Sequence, residues 1–168
     1  DNTLLATIIH SVKNIPYYHC SELIRKMKDE DKLKLIKGAF SNLEFFDVVL
    51  REFEHINLTF TLILSSACFG QLKRHRMASI TCQEYEPSLS FTIPPLVYDV
   101  GLEKEFCTII DKTNYLYDRM NVELPNVSQY ILTNAHRKRV LCTLNARELY
   151  HISRLREDAN AQWDIRKL

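Results

Sequence analysis

Glycine is scarce in this chain, with only three among 168 residues, and neither a G-x-G-x-x-G nor a P-loop pattern occurs. Both patterns use glycine to bring backbone N–H groups close to phosphate oxygens at the start of a helix. Their absence excludes the Rossmann turn and the P-loop as nucleotide sites. A dinucleotide would have to be bound by another architecture.

Cysteine is also used sparingly, and its pattern excludes two further classes of protein. The five cysteines are odd in number and widely spaced, and no C-x-x-C pair occurs. Secreted disulfide frameworks and structural zinc sites both need closely patterned cysteines. We therefore expect reduced thiols, no metal site and a cytoplasmic location.

Charge of one sign and long apolar runs are missing as well. The 22 Lys and Arg residues nearly balance 21 Asp and Glu residues, so no overall field attracts nucleic acid or an anionic membrane. No apolar run reaches the roughly 18–20 residues of a membrane helix, and the N-terminus shows no export signal. We expect a soluble protein without nucleic-acid or membrane partners, in which any anion binds at a local cluster.

The hydrophobic periodicity predicts an α+β fold. The length of 168 residues suits a single domain over residues 1–168, which would bury about two-thirds of the surface of its unfolded form. Apolar residues alternate in the two predicted strands and recur every three or four positions in the predicted helices. The prediction is an antiparallel sheet with strands at 55–64 and about 137–143, a loop at 81–95, and flanking helices that include 68–76, 102–120 and 145–166.

The first predicted strand leads to a cluster of positive charge. Ser65 or Ser66 can cap the helix that follows, and that helix would end in the run Lys73-Arg74-His75-Arg76. One interpretation is a solvated helix C-terminus, where the helix dipole favours a cation by roughly 0.3–1 kcal/mol. The other interpretation is an anion-binding site.

The order of residues around this cluster favours the second interpretation. The sequence from Glu54 to Ser79 contains, in this order, E-H, T-F, S-x-A, Q-L-x-R-H-R and A-S. This order resembles the flavin-dependent thymidylate synthases, whose signature is Arg-His-Arg, seven residues and Ser. A second block, Thr143 to Arg166, contains N-A-R, L-R and A-Q-x-x-I-R and resembles the same family's C-terminal helix. Two blocks in the family's order, about 65 residues apart, identify the chain as a member.

The resemblance implies an activity and a set of site residues. The family transfers a methylene group from methylenetetrahydrofolate to dUMP and reduces it with a hydride from FAD, which NADPH has recharged; no cysteine nucleophile is needed. It implies a homotetramer with shared active sites. The implied flavin-binding residues are His55, Asn57, Arg74, His75, Arg76, Met77, Asn145, Arg147 and His151. The implied nucleotide-binding residues are Gln71, Arg74 and Arg156, with Arg156 as the catalytic residue at the pyrimidine ring.

The nucleotide-binding loop departs from the family pattern. Seven residues after Arg76 the chain has Glu84 instead of serine, and the arginine expected two positions later is Glu86. If two residues are deleted, Cys82 takes the serine position and Glu84 the arginine position. Gln129 stands where a further family arginine aligns. The usual Gly-His-x-Ser-Pro turn before the E-H pair is also missing.

Two hypotheses about function follow. The chain is either a working synthase with an atypical nucleotide loop, or a non-catalytic member. The second class includes a divergent flavin- or nucleotide-binding paralogue and the structural half of a tandem chain.

His55 has two interpretations as well, a surface residue at a strand start or a residue beside the flavin. Arg147 and Arg156 are nine positions apart, on nearly opposite sides of a helix at about 100° per residue, which an oligomer could use in two pockets.

Overall fold

The computed structural model describes residues 2–44 and 46–168 and confirms the α+β prediction. A three-stranded antiparallel sheet has the order β1-β3-β2. Its strands are β1 (Asn57–Ser65), β2 (Ser79–Tyr85) and β3 (Arg137–Asn145). The helices are α1 (Asn2–Val12), α2 (Tyr17–Lys26), α3 (Asp29–Phe40), α4 (Ser66–Leu72), α5 (Pro95–Asp99), α6 (Glu103–Glu123), α7 (Pro125–Ser128) and α8 (Ala146–Arg156). Short 3₁₀ turns cover Arg51–His55, Pro87–Leu89, Gln129–Ile131 and Ile165–Lys167.

The central strand β3 follows its predicted alternation. Val140, Cys142 and Leu144 are buried, whereas Leu141 is exposed. The edge strand β1 is less buried than predicted, because Leu64 reaches the core but Phe60 remains 38% exposed. The prediction that β1 begins at residue 55 was wrong, since His55 belongs to the preceding 3₁₀ turn.

Helix α4 is capped by one of the two predicted serines, but it begins at Ser66, two residues before the predicted start, and ends earlier than predicted. The Ser65 hydroxyl accepts a hydrogen bond from the Cys68 backbone N–H at 3.0 Å, which confirms Ser65 as the cap. The prediction of a helix through residue 76 was wrong. The N–H groups of Arg74 and His75 donate to carbonyls only three residues back, those of Gln71 and Leu72. Such bonds tighten and end the helix, so the Arg-His-Arg motif lies in a turn.

The segment predicted as a loop at 81–95 contains most of strand β2. Ile80 and Cys82 are partly buried against a core formed by residues that include Leu64 and Val140. The alternation covers few residues, and pairing with β3 supplies the backbone hydrogen bonds that fix it as a strand. Only the remainder of the predicted loop is free of regular strand.

Helices α6 and α8 differ from prediction at their ends. Helix α6 ends at Glu123, with Leu124 as its C-cap before Pro125, and so extends beyond the predicted 102–120. On it Ile110 is buried while Ile109 is 59% exposed. Asn145 caps α8 as predicted, accepting from the Glu148 N–H at 2.8 Å. The prediction that α8 continues to residue 166 was wrong. Beyond Arg156 the Asp158 carboxylate accepts the Asn160 N–H at 2.8 Å, which stabilises a turn.

The chain divides into two compact units. The first contains the described residues of Asp1–Leu58 together with Thr143–Leu155, and the second contains Thr59–Cys142 and Arg156–Leu168. Each has its own apolar core. The first is built from residues that include Leu5, Cys20 and Ile24, and the second from residues that include Cys68, Leu72 and Val140. The single domain over residues 1–168 stays a prediction. Among the described helices, none is both long and apolar enough to span a membrane.

Candidate functional site

The second unit brings residues of both sequence blocks into direct contact. The Nε–H of Arg156 donates to Nε2 of His75 at 2.9 Å, and an Nη2–H of Arg156 donates to the Gln71 carbonyl at 3.4 Å. These three residues were predicted to be site residues. Because a guanidinium nitrogen only donates, Nε2 of His75 must accept, and the imidazole is then neutral with its proton on Nδ1. Gln71, His75 and Arg156 form the arginine cluster of this unit.

The rest of the Arg-His-Arg turn faces solvent. His75 is only 9% exposed, whereas Met77 is 79% exposed and the side chains of Arg74 and Arg76 are also exposed. Within the described residues, neither of these two guanidinium groups has a hydrogen-bond or ion-pair partner. Two exposed guanidinium groups in one turn can bind an anionic group such as a diphosphate.

In the first unit, Arg147 is held by partners on the chain before β1. Its Nη1 donates to the Glu54 carboxylate at 2.6 Å, and its Nε donates to the Val49 carbonyl at 3.1 Å. The hydrogen bond from Arg147, with a smaller contribution from Arg51, lowers the pKa of Glu54 despite partial desolvation. Sequence reasoning did not include Glu54 in the site, although its place beside His55 in the E-H pair was a signal.

The other predicted residues of the first unit are dispersed. The Asn145 side-chain carbonyl is used as the α8 cap, and the side chains of Asn57 and His151 are exposed. His55 lines a cavity of about 850 Å³ together with Glu54 and with side chains of α1 and α2 that include Thr7, His10 and Tyr17. Of the flavin residues implied in this unit, His55 alone lines this cavity, as far as the described residues show.

Three residues that depart from the family pattern line one cavity of about 460 Å³ in the second unit. Glu84, Glu86 and Gln129 all line it, together with Arg139 of β3 and Tyr117 of α6. Two carboxylates and one guanidinium give this lining a net negative charge, which disfavours a phosphate dianion. Cys82, the alternative serine position, does not line the cavity and packs partly buried against the core. We call this cavity the glutamate cavity.

Two polar contacts of the second unit had no signal in the sequence. The Ser65 hydroxyl donates to the Asp164 carboxylate, which joins the start of α4 to the C-terminal turn. His136 is almost fully buried, and its Nδ1 accepts from the Thr133 backbone N–H at 3.0 Å while Nε2 lies 2.9 Å from the Asn114 side-chain oxygen. Burial lowers the pKa of His136. Among the described residues, no group of three or more His, Cys, Asp or Glu is placed to hold a metal ion.

The sequence of this chain is similar to those of known proteins. The family model described as thymidylate synthase complementing protein matches residues 7–168. The flavin-dependent thymidylate synthase of Sulfolobus acidocaldarius is 32% identical over 125 residues, covering 68% of this chain and 47% of the relative. That of Pyrococcus furiosus is 32% identical over 127 residues, covering 68% and 52%. A UPF0159 protein of Chlamydia muridarum is 24% identical over 153 residues, covering 90% and 29%.

The chain thus spans about half the length of the two synthases, and less of the third relative. The family model covers nearly the whole chain and includes both sequence blocks and the contact between His75 and Arg156. On this match, the chain belongs to the thymidylate synthase complementing protein family.

Proposed function

We propose that the chain is a flavin-dependent thymidylate synthase, or its principal module, and that it methylates dUMP to dTMP. The observation that carries the proposal is the arginine cluster, in which Arg156 from the second sequence block meets Gln71 and His75 from the first. In the reaction, the pyrimidine C5 gains one carbon from methylenetetrahydrofolate and loses one proton. The carbon receives one hydride, which originates from NADPH, and tetrahydrofolate is released.

Arg156 has the geometry for stabilising charge on the substrate. Its Nε and Nη2 are engaged within the protein, and Nη1 retains its donors. A guanidinium fixed in this way can donate to a pyrimidine oxygen as negative charge develops there, without reorganising during the reaction. We assign this role to Arg156, and substrate contacts to Gln71 and Arg74.

The exposed guanidinium groups of the Arg-His-Arg turn fit the anionic part of a flavin dinucleotide. Arg74 and Arg76 of the second unit supply two unengaged forks for a diphosphate. For His55 and Asn57 of the first unit, the proposal of a flavin contact rests on the resemblance alone. Bound FAD would supply the hydride-transfer chemistry. Arg147 fits less directly, because Glu54 and Val49 already engage its guanidinium. We propose Met77, His75, Asn145 and His151 as further flavin contacts.

The glutamate cavity supports the second candidate function, a non-catalytic or divergent member. Glu84 and Glu86 place two carboxylates, and Gln129 a neutral amide, where the resemblance implies a serine and two arginines. The loss of charge-assisted hydrogen bonds to a phosphate costs about 1.5–3 kcal/mol for each bond. A paralogue that binds flavin or nucleotide without turnover, or the structural half of a tandem chain, would tolerate this lining.

One set of measurements distinguishes the candidates. We would record the absorption spectrum of the purified protein with added FAD, and then NADPH- and folate-dependent tritium release from C5-labelled dUMP. A synthase gives a flavin spectral change and tritium release, both reduced in Arg156→Lys relative to a control Arg119→Lys on the exposed face of α6. A spectral change without release supports the divergent paralogue, and the absence of both overturns the flavin assignment.

Three broader properties are part of the same proposal. We propose a homotetramer with shared active sites, a cytoplasmic location and one domain over residues 1–168. The family match over residues 7–168 supports the last of these.

A further inference from the structure

Arg156 occupies a position where its side chain needs an external constraint. It is the last residue of α8, and the residues that follow it form a turn stabilised by the hydrogen bond from the Asn160 N–H to Asp158. A long side chain at a helix end has several rotamers available, so its guanidinium is not oriented by the helix alone. Within the described residues, the constraint comes from the arginine cluster, through Nε2 of His75 and the carbonyl of Gln71.

His75 is itself held in place. Its backbone N–H donates to the Leu72 carbonyl at 3.0 Å, and its own carbonyl accepts from the Ala78 N–H at 3.2 Å. The side chain is 9% exposed. A buried imidazole on a backbone bonded at both groups presents its Nε2 in one direction. The acceptor that Arg156 meets is therefore fixed before any ligand binds.

We propose that His75 is a positioning residue for Arg156: the neutral imidazole accepts from Nε–H and thereby directs Nη1 towards the substrate pyrimidine. This rests on the proposed function, since it concerns the same arginine. It gives His75 a role in addition to the proposed flavin contact, which would have to use another atom because the Nε2 lone pair is already occupied by Arg156. The interaction fixes orientation, and His75 itself need not touch the substrate.

Three substitutions of His75 distinguish the effect of losing the hydrogen-bond acceptor from the effect of losing the volume of the ring. His75→Gln retains a carbonyl oxygen at a reach close to that of Nε2. His75→Phe retains the ring and removes the acceptor, and His75→Asn removes it by shortening a polar side chain, which guards against a folding defect specific to Phe. His19→Phe replaces an exposed histidine of α2 and serves as the control.

The first readout needs no activity. The rate at which phenylglyoxal modifies Arg156, followed by peptide mass spectrometry, reports whether the guanidinium is engaged. We expect a several-fold faster modification in His75→Phe and His75→Asn, and rates close to that of the unsubstituted protein in His75→Gln and His19→Phe. Equal rates in all five proteins would overturn the positioning role, whether or not the protein proves to be a synthase.

The second readout is the dUMP concentration dependence of tritium release in the presence of FAD. We expect kcat/KM to fall by about tenfold or more without the acceptor, on the scale of a hydrogen bond to a charged group, and to recover in His75→Gln. Unchanged kcat/KM in His75→Phe would contradict the proposal. Failure of the unsubstituted protein to release tritium would instead count against the proposed function, and the modification rates would still decide the role of His75.

Discussion

At the scale of single residues, the contact of Glu54 with Arg147 makes a specific prediction about acid stability. Arg147 lowers the pKa of Glu54 below its ordinary value of 4.5. The ionised carboxylate is thus favoured by folding. Its contribution to stability is present above pH 4.5 and is lost as the pH falls through the lowered pKa of the folded state.

Substitution of Glu54 tests this pH dependence. We expect Glu54→Gln to lower Tm at pH 7, and the difference from the unsubstituted protein to shrink as the pH falls below about 4. Thermal unfolding at a series of pH values measures the effect, with Glu52→Gln as the neighbouring control. A difference in Tm that stays constant down to pH 3 would show that the carboxylate charge is not responsible.

A second prediction at this scale concerns the low reactivity of the Cys68 thiol. Burial, together with the nearby negative charge of Asp164, raises the pKa of this thiol to about 12. The thiolate is the reactive form, so Cys68 should resist alkylation at neutral pH. With iodoacetamide at pH 8, we expect the partly exposed Cys82 and Cys107 to be modified first and Cys68 only after denaturation. Modification of Cys68 in the folded protein at the rate of Cys107 would contradict this.

At the scale of elements, local signals in the sequence predicted helix starts better than helix ends. Ser65 and Asn145 were recognisable as caps because a cap bonds to an N–H three residues away. The ends of α4 and α8 depend on turn hydrogen bonds that no hydrophobic period encodes. Strand β2 was missed because an edge strand is fixed by its partner, which lies more than 50 residues away in the chain.

The same distinction applies to the candidate site. The resemblance supplied Gln71, His75 and Arg156 as separate residues, but the hydrogen bond between positions 75 and 156 depends on tertiary packing. Of the two groups that hold Arg147, the Glu54 carboxylate had a signal in the E-H pair, whereas the Val49 backbone carbonyl had none. Glu84, Glu86 and Gln129, which the resemblance places at nucleotide contacts, line one cavity, and their role there stays a prediction.

Glu84 at the end of β2 and Glu86 just after it carry the prediction about turnover. We expect dUMP methylation in the unsubstituted chain to be weak but measurable, because the glutamate cavity repels a phosphate whose binding would orient the pyrimidine. Combining Glu84→Ser with Glu86→Arg should partly restore both dUMP affinity and turnover. Tritium release and dUMP titration measure the two effects.

A matched control is available on α6. Glu103 and Glu105 are exposed and have the same spacing, so Glu103→Ser combined with Glu105→Arg changes the net charge equally outside the cavity. Ordinary synthase rates in the unsubstituted protein would show that the phosphate is held elsewhere. Equal gains from the control pair would assign the effect to overall charge.

At the scale of the whole molecule, the structure changes the argument for an oligomer. The opposed positions of Arg147 and Arg156 on the predicted helix were the independent hint of an oligomer, in which each arginine could serve a different subunit's pocket. In this chain Arg147 binds Glu54 and Arg156 binds His75, so each arginine has a partner within a single copy. The expectation of a homotetramer is left resting on the resemblance to the family.

Light scattering of the purified protein tests that expectation directly. We expect the mass of four chains at micromolar concentration, unchanged on dilution over about tenfold. A monomer would exclude shared active sites, and the residues of the candidate site would then have to act within one chain. The mass measured for Arg156→Lys provides a control for any effect of the site on assembly.

The position of β1 in the sheet has a practical consequence for handling the protein. The strand order leaves β1 paired with β3 alone among the described strands, and Phe60 and Ile63 on it are 38% and 49% exposed. An apolar strand with an unpaired row of N–H and C=O groups is a template for a strand of another molecule. The solubility of the concentrated protein will therefore depend on how well the exposed edge of β1 is covered. Aggregation through this edge can begin while every molecule is still folded.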